Sequence, residues 1–576
     1  STERVPAFLK HDLEVLKEQF HTEMSPAAAR LRVYDLPERP RVRVQADGRG
    51  WLDFQVGYDV EGHSVSLQQL QQAQQGVVRA DPYTFVEAAP EMAEQLMKDL
   101  ERLNAQATEH GHRVPASSFG VLEDFIAQID AQREVDHSYQ MFLNDLSGFE
   151  ADENFRLPAL VEQDLRQSDI TLRPYQRAGI HWLTWLAEHH LHGLLADDMG
   201  LGKTIQTATA LRFVLEQVAS GEDIPSLVIC PKSVIRHWQR ELLRCYPTLT
   251  TYEYIGSGRD RAIWQHPHRC VVISTYDTIA RDVGMIKHQP LLFLILDEST
   301  RIKNPLTQRA QAVKSLHARY RLALSGTPVE NRPAELWSVF DFLMHGHLGR
   351  YGTFQRVFEY PIMSGDETAA ARLGKRVGPF LLRRHKEDVA QDLPEKIDIE
   401  EWVSLTPEQH RLYTAIQGRE AEPMRQSLMQ GRQVGMTNIL AVLTKLKQVC
   451  DHPALITEDD EIIEGRSEKF DTVMERLDEI VDQDEQVVVF SHFLGALNLL
   501  ERALEQRGVT WVRLDGAVSM KARQARIDQF NAGQAQVALC SLLAVGQGVN
   551  LTAANHVLHM DRWWNPSVED QATHRV

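Results

Sequence analysis

The sequence predicts an α/β protein: two parallel-sheet lobes with helical insertions, preceded by an α+β N-terminal module. Three observations carry that expectation. From about residue 170, short apolar runs of strand length alternate with amphipathic helical patterns, the texture of a doubly wound sheet. A mainly helical stretch follows at about 333–480, and a second strand–helix series begins at Gln486. The first ~155 residues instead show period-two alternation and turn signals. The expected boundaries are 1–155 for the accessory module, 165–345 for the first lobe, 346–470 for the insertions and 471–576 for an incomplete second lobe.

Taken in order, Arg41-Val-Arg-Val-Gln45 alternates with strand period, Asp47-Gly48 supplies a turn, and Trp51 to Val56 resumes the alternation, so a hairpin is expected. Ser66 to Gln75 reads as a Gln-rich helix, and Glu91 to Leu103 has apolar residues at helical spacing. Leu194-Leu-Ala, Ser226-Leu-Val-Ile-Cys, Val271-Val-Ile-Ser, Leu291-Leu-Phe-Leu-Ile-Leu and Arg321-Leu-Ala-Leu-Ser read as buried parallel strands of the first lobe. In the second lobe the strands are Gln486-Val-Val-Val-Phe-Ser, Thr510-Trp-Val-Arg-Leu, Val537-Ala-Leu-Cys-Ser and His556-Val-Leu-His-Met.

Composition bounds the function. Of 576 residues, 43% are hydrophobic and 25% charged, as in ordinary globular protein. No apolar run approaches the ~20 residues that cross a bilayer, so no membrane partner is expected. The five cysteines stand singly, without C-x-x-C spacing; a zinc site is not expected, and such thiols suit a reducing cytoplasm as inert core residues. The net charge of −18 argues against coating nucleic acid by bulk electrostatics. Residues 1–150 hold 14 Lys+Arg and 25 Asp+Glu, leaving 48 and 55 for the rest, so a local basic track remains open in the later part.

The strongest chemical signal is Leu195-Ala-Asp-Asp198-Met199-Gly200-Leu201-Gly202-Lys203-Thr204, between a strand and a helix. Gly200 and Gly202 let backbone N–H groups approach phosphate oxygens, and the helix start adds partial positive charge. Lys203 would reach the β/γ-phosphates and the Thr204 hydroxyl would ligate Mg²⁺. Asp197 stands where the strict G-x-x-x-x-G-K-[ST] pattern has its first glycine. Asp297-Glu298, ending a buried strand, is either a capped strand end or the acidic half of the same site. In the second case Asp297 holds Mg²⁺ and Glu298 positions the attacking water.

Further segments follow in an order that identifies a family. They are Leu172-Arg-Pro-Tyr-Gln176, Pro231-Lys232-Ser-Val, Ser274-Thr275-Tyr-Asp, Ser325-Gly-Thr-Pro, Phe380-Leu-Leu-Arg-Arg384, Cys450-Asp-His-Pro, Ser491-His-Phe, Gly546-Gln-Gly-Val-Asn550-Leu-Thr and Asp561-Arg-Trp-Trp-Asn-Pro. The set resembles the Swi/Snf-type double-stranded DNA translocases of helicase superfamily two, over about 165–576. The resemblance implies a DNA-dependent ATPase, with ATP and Mg²⁺ between the lobes and remodelling of protein–DNA complexes as the outcome. It implies that Gln176 contacts adenine and that Arg575, on the second lobe, is aimed at the γ-phosphate. It also implies sequence-independent duplex contacts from Lys232, Ser274, Thr275, Ser491, Gly546 and Asn550, which bind phosphate without reading bases. Bacterial relatives of this type recycle RNA polymerase, assist repair or serve anti-phage defence, so the polymerase or a defence-system protein is the partner class.

Ser299-Thr300 departs from the family after Asp297-Glu298, and the chain stops one residue past Arg575, inside a motif. The expectation is a piece of a longer protein that hydrolyses ATP poorly alone. A catalytically weak nucleotide-binding scaffold recruiting partners on DNA is the alternative, and a strand-separating or RNA helicase the third reading. The Arg383-Arg-His-Lys386 cluster reads equally as a DNA-side group or a solvated face, and His189, His190 and His192 as an exposed helix end.

Overall fold

The computed structural model describes residues 8–20, 23–48, 50–72, 77–87, 96, 100, 103, 105–109, 111–217, 223–265, 268–327, 332–389, 397–430, 435–457, 465–542, 549, 551–574 and 576. The chain divides into two compact units. One comprises Ser1–Ala196, Thr204–Cys230 and Leu242–Arg383; the other comprises Asp197–Lys203, Pro231–Glu241 and Arg384–Val576.

In the first unit the N-terminal strands are β1 Arg32–Asp35, β2 Arg41–Ala46, β3 Trp51–Val60, β4 His63–Ser66, β5 Val77–Arg79, β6 Thr84–Glu87, β7 Gln106–Thr108, β8 Gly111–Pro115 and β9 Gln132–Val135. The expected hairpin forms: β2 and β3 pair antiparallel with Ala46 opposite Leu52. Their alternation is real burial, with Val42, Val44, Leu52, Phe54 and Val56 all turned to the core. Together they centre a sheet of order β7-β8-β3-β2-β9, with β4 on β3, beside a small β1-β6-β5 sheet. The Gln-rich run forms a short helix, Leu67–Gln72. Most of Glu91–Leu103 lies outside the described residues.

The helix Phe119–Gln128 packs this module onto the lobe that follows. Phe119 meets Phe380 at 5.7 Å and His347 at 5.4 Å between ring centroids. Arg376 forks the Asp124 carboxylate at 3.0 and 2.7 Å and donates to the Gly120 carbonyl at 3.0 Å. Gly120 is required by this approach, because a Cβ there would lie 2.8 Å from His347 Nδ1. Burial pushes the His347 imidazole down to about 4, so the seam is closed around a neutral ring.

The lobe is a seven-stranded sheet of order β12-β13-β11-β14-β15-β10-β16. Its strands are β10 Gly193–Leu195, β11 Ser226–Ile229, β12 Thr251–Tyr254, β13 Val271–Ser274, β14 Leu291–Leu296, β15 Ala318–Leu324 and β16 Leu381–Leu382. Every pairing is parallel. Strands β11, β13 and β14 are buried at every position, which explains their unbroken apolar runs: both faces are covered. Strands β12 and β16 were not expected. The first is a polar edge strand and the second has two residues, so neither carries an apolar run.

In the second unit a four-stranded parallel sheet runs β18-β19-β17-β20, from β17 Val487–Ser491, β18 Trp511–Leu514, β19 Val537–Ser541 and β20 His556–His559. Strand residues alternate between two cores. Val487, Val489, Val537 and Leu539 face the helices Glu468–Asp482 and Leu494–Arg507. Val488, Phe490, Ala538 and Cys540 face the opposite layer with Ile527 and Phe530. No described helix is long and apolar enough to cross a membrane.

Candidate nucleotide site

Parallel strands end together, so the loops after β10, β11, β13 and β14 leave the first sheet at one carboxyl edge, where doubly wound sheets bind ligands. The loop after β10 carries Asp198, Met199, Gly200, Leu201 and Gly202 into the helix Lys203–Gln217. Gly200 has φ +86 and Gly202 φ +75, left-handed values that glycine alone adopts without cost. A side chain at either would strain the backbone. Lys203 Nζ donates to the carbonyls of Asp197 and Asp198 at 2.6 and 3.0 Å, so the ammonium is held over the loop. Thr204 is the second residue of the helix, in the first turn at the positive end of the helix dipole.

The acidic pair stands two strands away on the same edge. Asp297 N–H donates to the Ile229 carbonyl at 2.9 Å, extending the β11–β14 ladder by one residue. The Tyr276 hydroxyl donates to the Asp297 carbonyl at 2.8 Å; burial pushes that phenol up, so it stays a donor. Glu298 adopts φ 51 and ψ 57, left-handed for a non-glycine residue, and its N–H donates to Asp297 Oδ1 at 2.9 Å. Left-handed backbone costs an L-residue about 1–2 kcal/mol, and such strain concentrates at functional sites. A plain capped strand end requires no such turn. Ser299 follows, buried, its hydroxyl without a hydrogen-bond partner among the described residues.

A hydroxyl and a carboxylate are hard oxygen donors of the kind Mg²⁺ takes. Thr204 and Asp297 therefore fit the metal chemically.

Other expected residues are placed as follows. Gln176 sits in the first turn of the helix Pro174–Glu188, where its Oε1 accepts from Arg173 N–H at 3.0 Å. Lys232 is exposed in a short turn after β11, and Thr275 caps the helix Tyr276–Ile286 through its hydroxyl. Ser274 is fully buried and its hydroxyl donates to the Tyr254 carbonyl at 2.6 Å, an internal bond and not a face offered to phosphate. Ser491 is likewise buried, its hydroxyl given to the Asp561 carboxylate, which also accepts from His492 N–H. Gly546, Asn550 and Arg575 lie outside the described residues.

Two readings of exposed groups are corrected. Arg384 is neither a free DNA-side cation nor a solvated one; its guanidinium forks the buried Asp197 carboxylate. The histidines do follow a helix end, with His189 its C-cap, but they are half-buried and not exposed: His189 Nδ1 lies 2.8 Å from the Trp185 carbonyl, and His192 Nδ1 accepts from Arg321 N–H, with burial pulling its imidazole down to about 3. Sequence reasoning missed the roles of Arg384, Tyr276 and Asp561. Only the first had a signal, since an aspartate in a glycine position beside a buried strand calls for a cation.

A glycine-bent loop, a Lys-Thr helix start and an acidic strand end on one parallel sheet define a nucleoside-triphosphate-handling α/β protein. Residues 175–455 match the family model described as the SNF2-related domain, and residues 468–576 match the helicase conserved C-terminal domain. The chain belongs to the SNF2-related ATPases of helicase superfamily two. It is 38% identical over 415 residues to a putative ATP-dependent helicase/translocase YwqA of Bacillus subtilis, covering 70% of this chain and 44% of that one. It is 32% identical over 478 residues to the TATA-binding protein-associated factor BTAF1 of Arabidopsis thaliana, covering 71% and 23%. Among solved structures, the SWI2/SNF2 ATPase core of Sulfolobus solfataricus in complex with dsDNA is 35% identical, covering 70% of this chain and 84% of that one, at a TM-score of 0.39. The chain spans less than half the length of the two curated relatives.

Proposed function

We propose that the chain is the motor of a DNA-dependent ATPase that translocates on double-stranded DNA and remodels protein–DNA complexes. The observation that carries the ATP half is the left-handed backbone at Gly200, Gly202 and Glu298, on two loops of one sheet edge. Family membership and the helicase/translocase and TATA-binding-protein-associated relatives support the DNA half.

In this reading the N–H groups of Gly202, Lys203 and Thr204 face the phosphates. Lys203 exchanges two carbonyl acceptors for phosphate oxygens, a charge-assisted bond that replaces neutral ones. Glu298 orients the attacking water and receives its proton. Thr204 and Asp297 would hold Mg²⁺, which would supply charge neutralisation at the phosphate oxygens. Gln176 leaves its helix cap to read adenine, and Arg575 supplies the γ-phosphate with its cation. Lys232 and Thr275 contact DNA phosphates, with no base readout.

The test is steady-state ATP hydrolysis by this chain with no nucleic acid, duplex DNA, single-stranded DNA and RNA. Stimulation by duplex DNA above that by single-stranded DNA and RNA is the expected result. Glu298→Gln should abolish turnover and keep ATP binding, whereas Lys203→Ala should lose both. Wild-type turnover in Glu298→Gln, or equal stimulation by RNA and duplex, would overturn the reading.

A further inference from the structure

The residue that breaks the phosphate-loop pattern is also one of the most buried charges in the protein. Asp197 has no solvent exposure, and its backbone is not left-handed, so the freedom of a glycine is not needed there. Its carboxylate is met by both edges of one guanidinium: Arg384 Nε donates to Oδ1 at 2.9 Å and Nη2 donates to Oδ2. The main chain joins the same two segments. Asp198 N–H donates to the Arg384 carbonyl at 3.0 Å, and Lys386 N–H donates to the Asp198 carboxylate at 3.0 Å. The carbonyl of Asp197 in turn accepts from Lys203 Nζ at 2.6 Å. One residue thus takes Arg384 on its side chain and Lys203 on its main chain.

The geometry points to Arg384 as a positioning residue of the phosphate loop, acting through Asp197 and not on nucleotide itself. A planar fork fixes the direction of a carboxylate, which a lysine's point charge does not. With Arg384 removed, Asp197 is a buried anion without its cation, and the loop must open to hydrate it. That opening displaces the carbonyl over which Lys203 is held. The role rests on the reading of this loop as the ATP site.

The experiment is titration of the full chain with N-methylanthraniloyl-ADP, for wild type, Arg384→Ala, Arg384→Lys, Asp197→Gly and the Asp197→Gly/Arg384→Ala double variant. Circular dichroism and melting of each variant accompany it. Arg384→Ala should weaken binding about tenfold or more in a folded chain, and Arg384→Lys should recover only part. In the Asp197→Gly background, where no buried anion remains, Arg384→Ala should change affinity less than about threefold, since residues that act as one unit are not additive. If Arg384→Ala does not fold, Arg384→Lys against the same two backgrounds gives the comparison. Equal affinity of wild type and the Arg384 variants, or a full additive loss in the Asp197→Gly background, would overturn the assignment alone. A wild type that binds no nucleotide would refute the ATP site and this role with it.

Discussion

The carboxyl edges of the two parallel sheets are finished in opposite ways. On the first, left-handed backbone follows the strands, at Gly200 and Gly202 after β10 and at Glu298 after β14. On the second, the described left-handed residues Asp484, Gly508 and Gly533 precede β17, β18 and β19, where they end helices and turns. The second sheet's described carboxyl ends are instead closed by side chains, with Asp561 taking the Ser491 hydroxyl and the His492 N–H. An edge with left-handed main chain differs physically from one whose main-chain donors are taken by side chains.

The second lobe's reliance on buried carboxylates has a cost that pH exposes. Asp451 is 1% exposed, and burial raises its carboxyl to about 7, with Asp561 adding repulsion and Lys469 offsetting part. A raised carboxylate favours the folded state while protonated; its contribution is complete below about pH 4 and lost as pH climbs to 7. At about 1.4 kcal/mol per unit, the span from 3.8 gives about 4 kcal/mol. Asp451→Asn should remove that fall, so the stability difference between variant and wild type in urea should grow from pH 4 to 7 in the variant's favour. A difference independent of pH would show that Asp451 is ionised in the folded lobe.

Asp561→Ala probes the same closure directly. It leaves the His492 N–H without its acceptor and the buried Ser491 hydroxyl with only the Phe493 carbonyl at 3.3 Å, so a loss of about 2–3 kcal/mol is expected in denaturant unfolding of the second lobe. Nucleotide affinity should not change. A large loss of nucleotide binding with normal stability would make that edge a ligand site like the first.

Glycine substitutions sharpen the contrast at smaller cost. Gly202→Ala places a side chain at φ +75, and Gly508→Ala does so at φ +70. Each should cost about 1–2 kcal/mol of local strain. The first should appear as nucleotide affinity lowered about tenfold, and the second only as a lower melting temperature.

These differences were unequally legible in the sequence. The strands β14, β17 and β19 were legible because a strand buried on both faces has no polar positions to interrupt it. Strand β12 was not, since Thr-Tyr-Glu-Tyr at a sheet edge carries no such run. Gly200, Gly202 and Lys203 are local in the chain, so spacing alone located the loop. The Asp197–Arg384 pair spans 187 positions, and no periodicity reports which cation reaches which anion at that distance. Ser274 and Ser491 carry a second kind of information that sequence lacks: a motif gives the residue type at a strand end, but the pleat decides which way the hydroxyl points.

That last point yields the smallest predicted effect. Ser274→Ala removes one internal bond to the Tyr254 carbonyl, worth about 1 kcal/mol, and takes nothing from the surface. Lys232→Ala, three residues beyond β11, removes an exposed cation at the neighbouring strand end. Duplex affinity measured against salt separates them: Lys232→Ala should weaken binding and lower the salt slope by about one, whereas Ser274→Ala should leave the line unmoved. If Ser274→Ala shifts that line as much as Lys232→Ala does, its hydroxyl turns outward on DNA, and the first edge rearranges more than its backbone geometry implies.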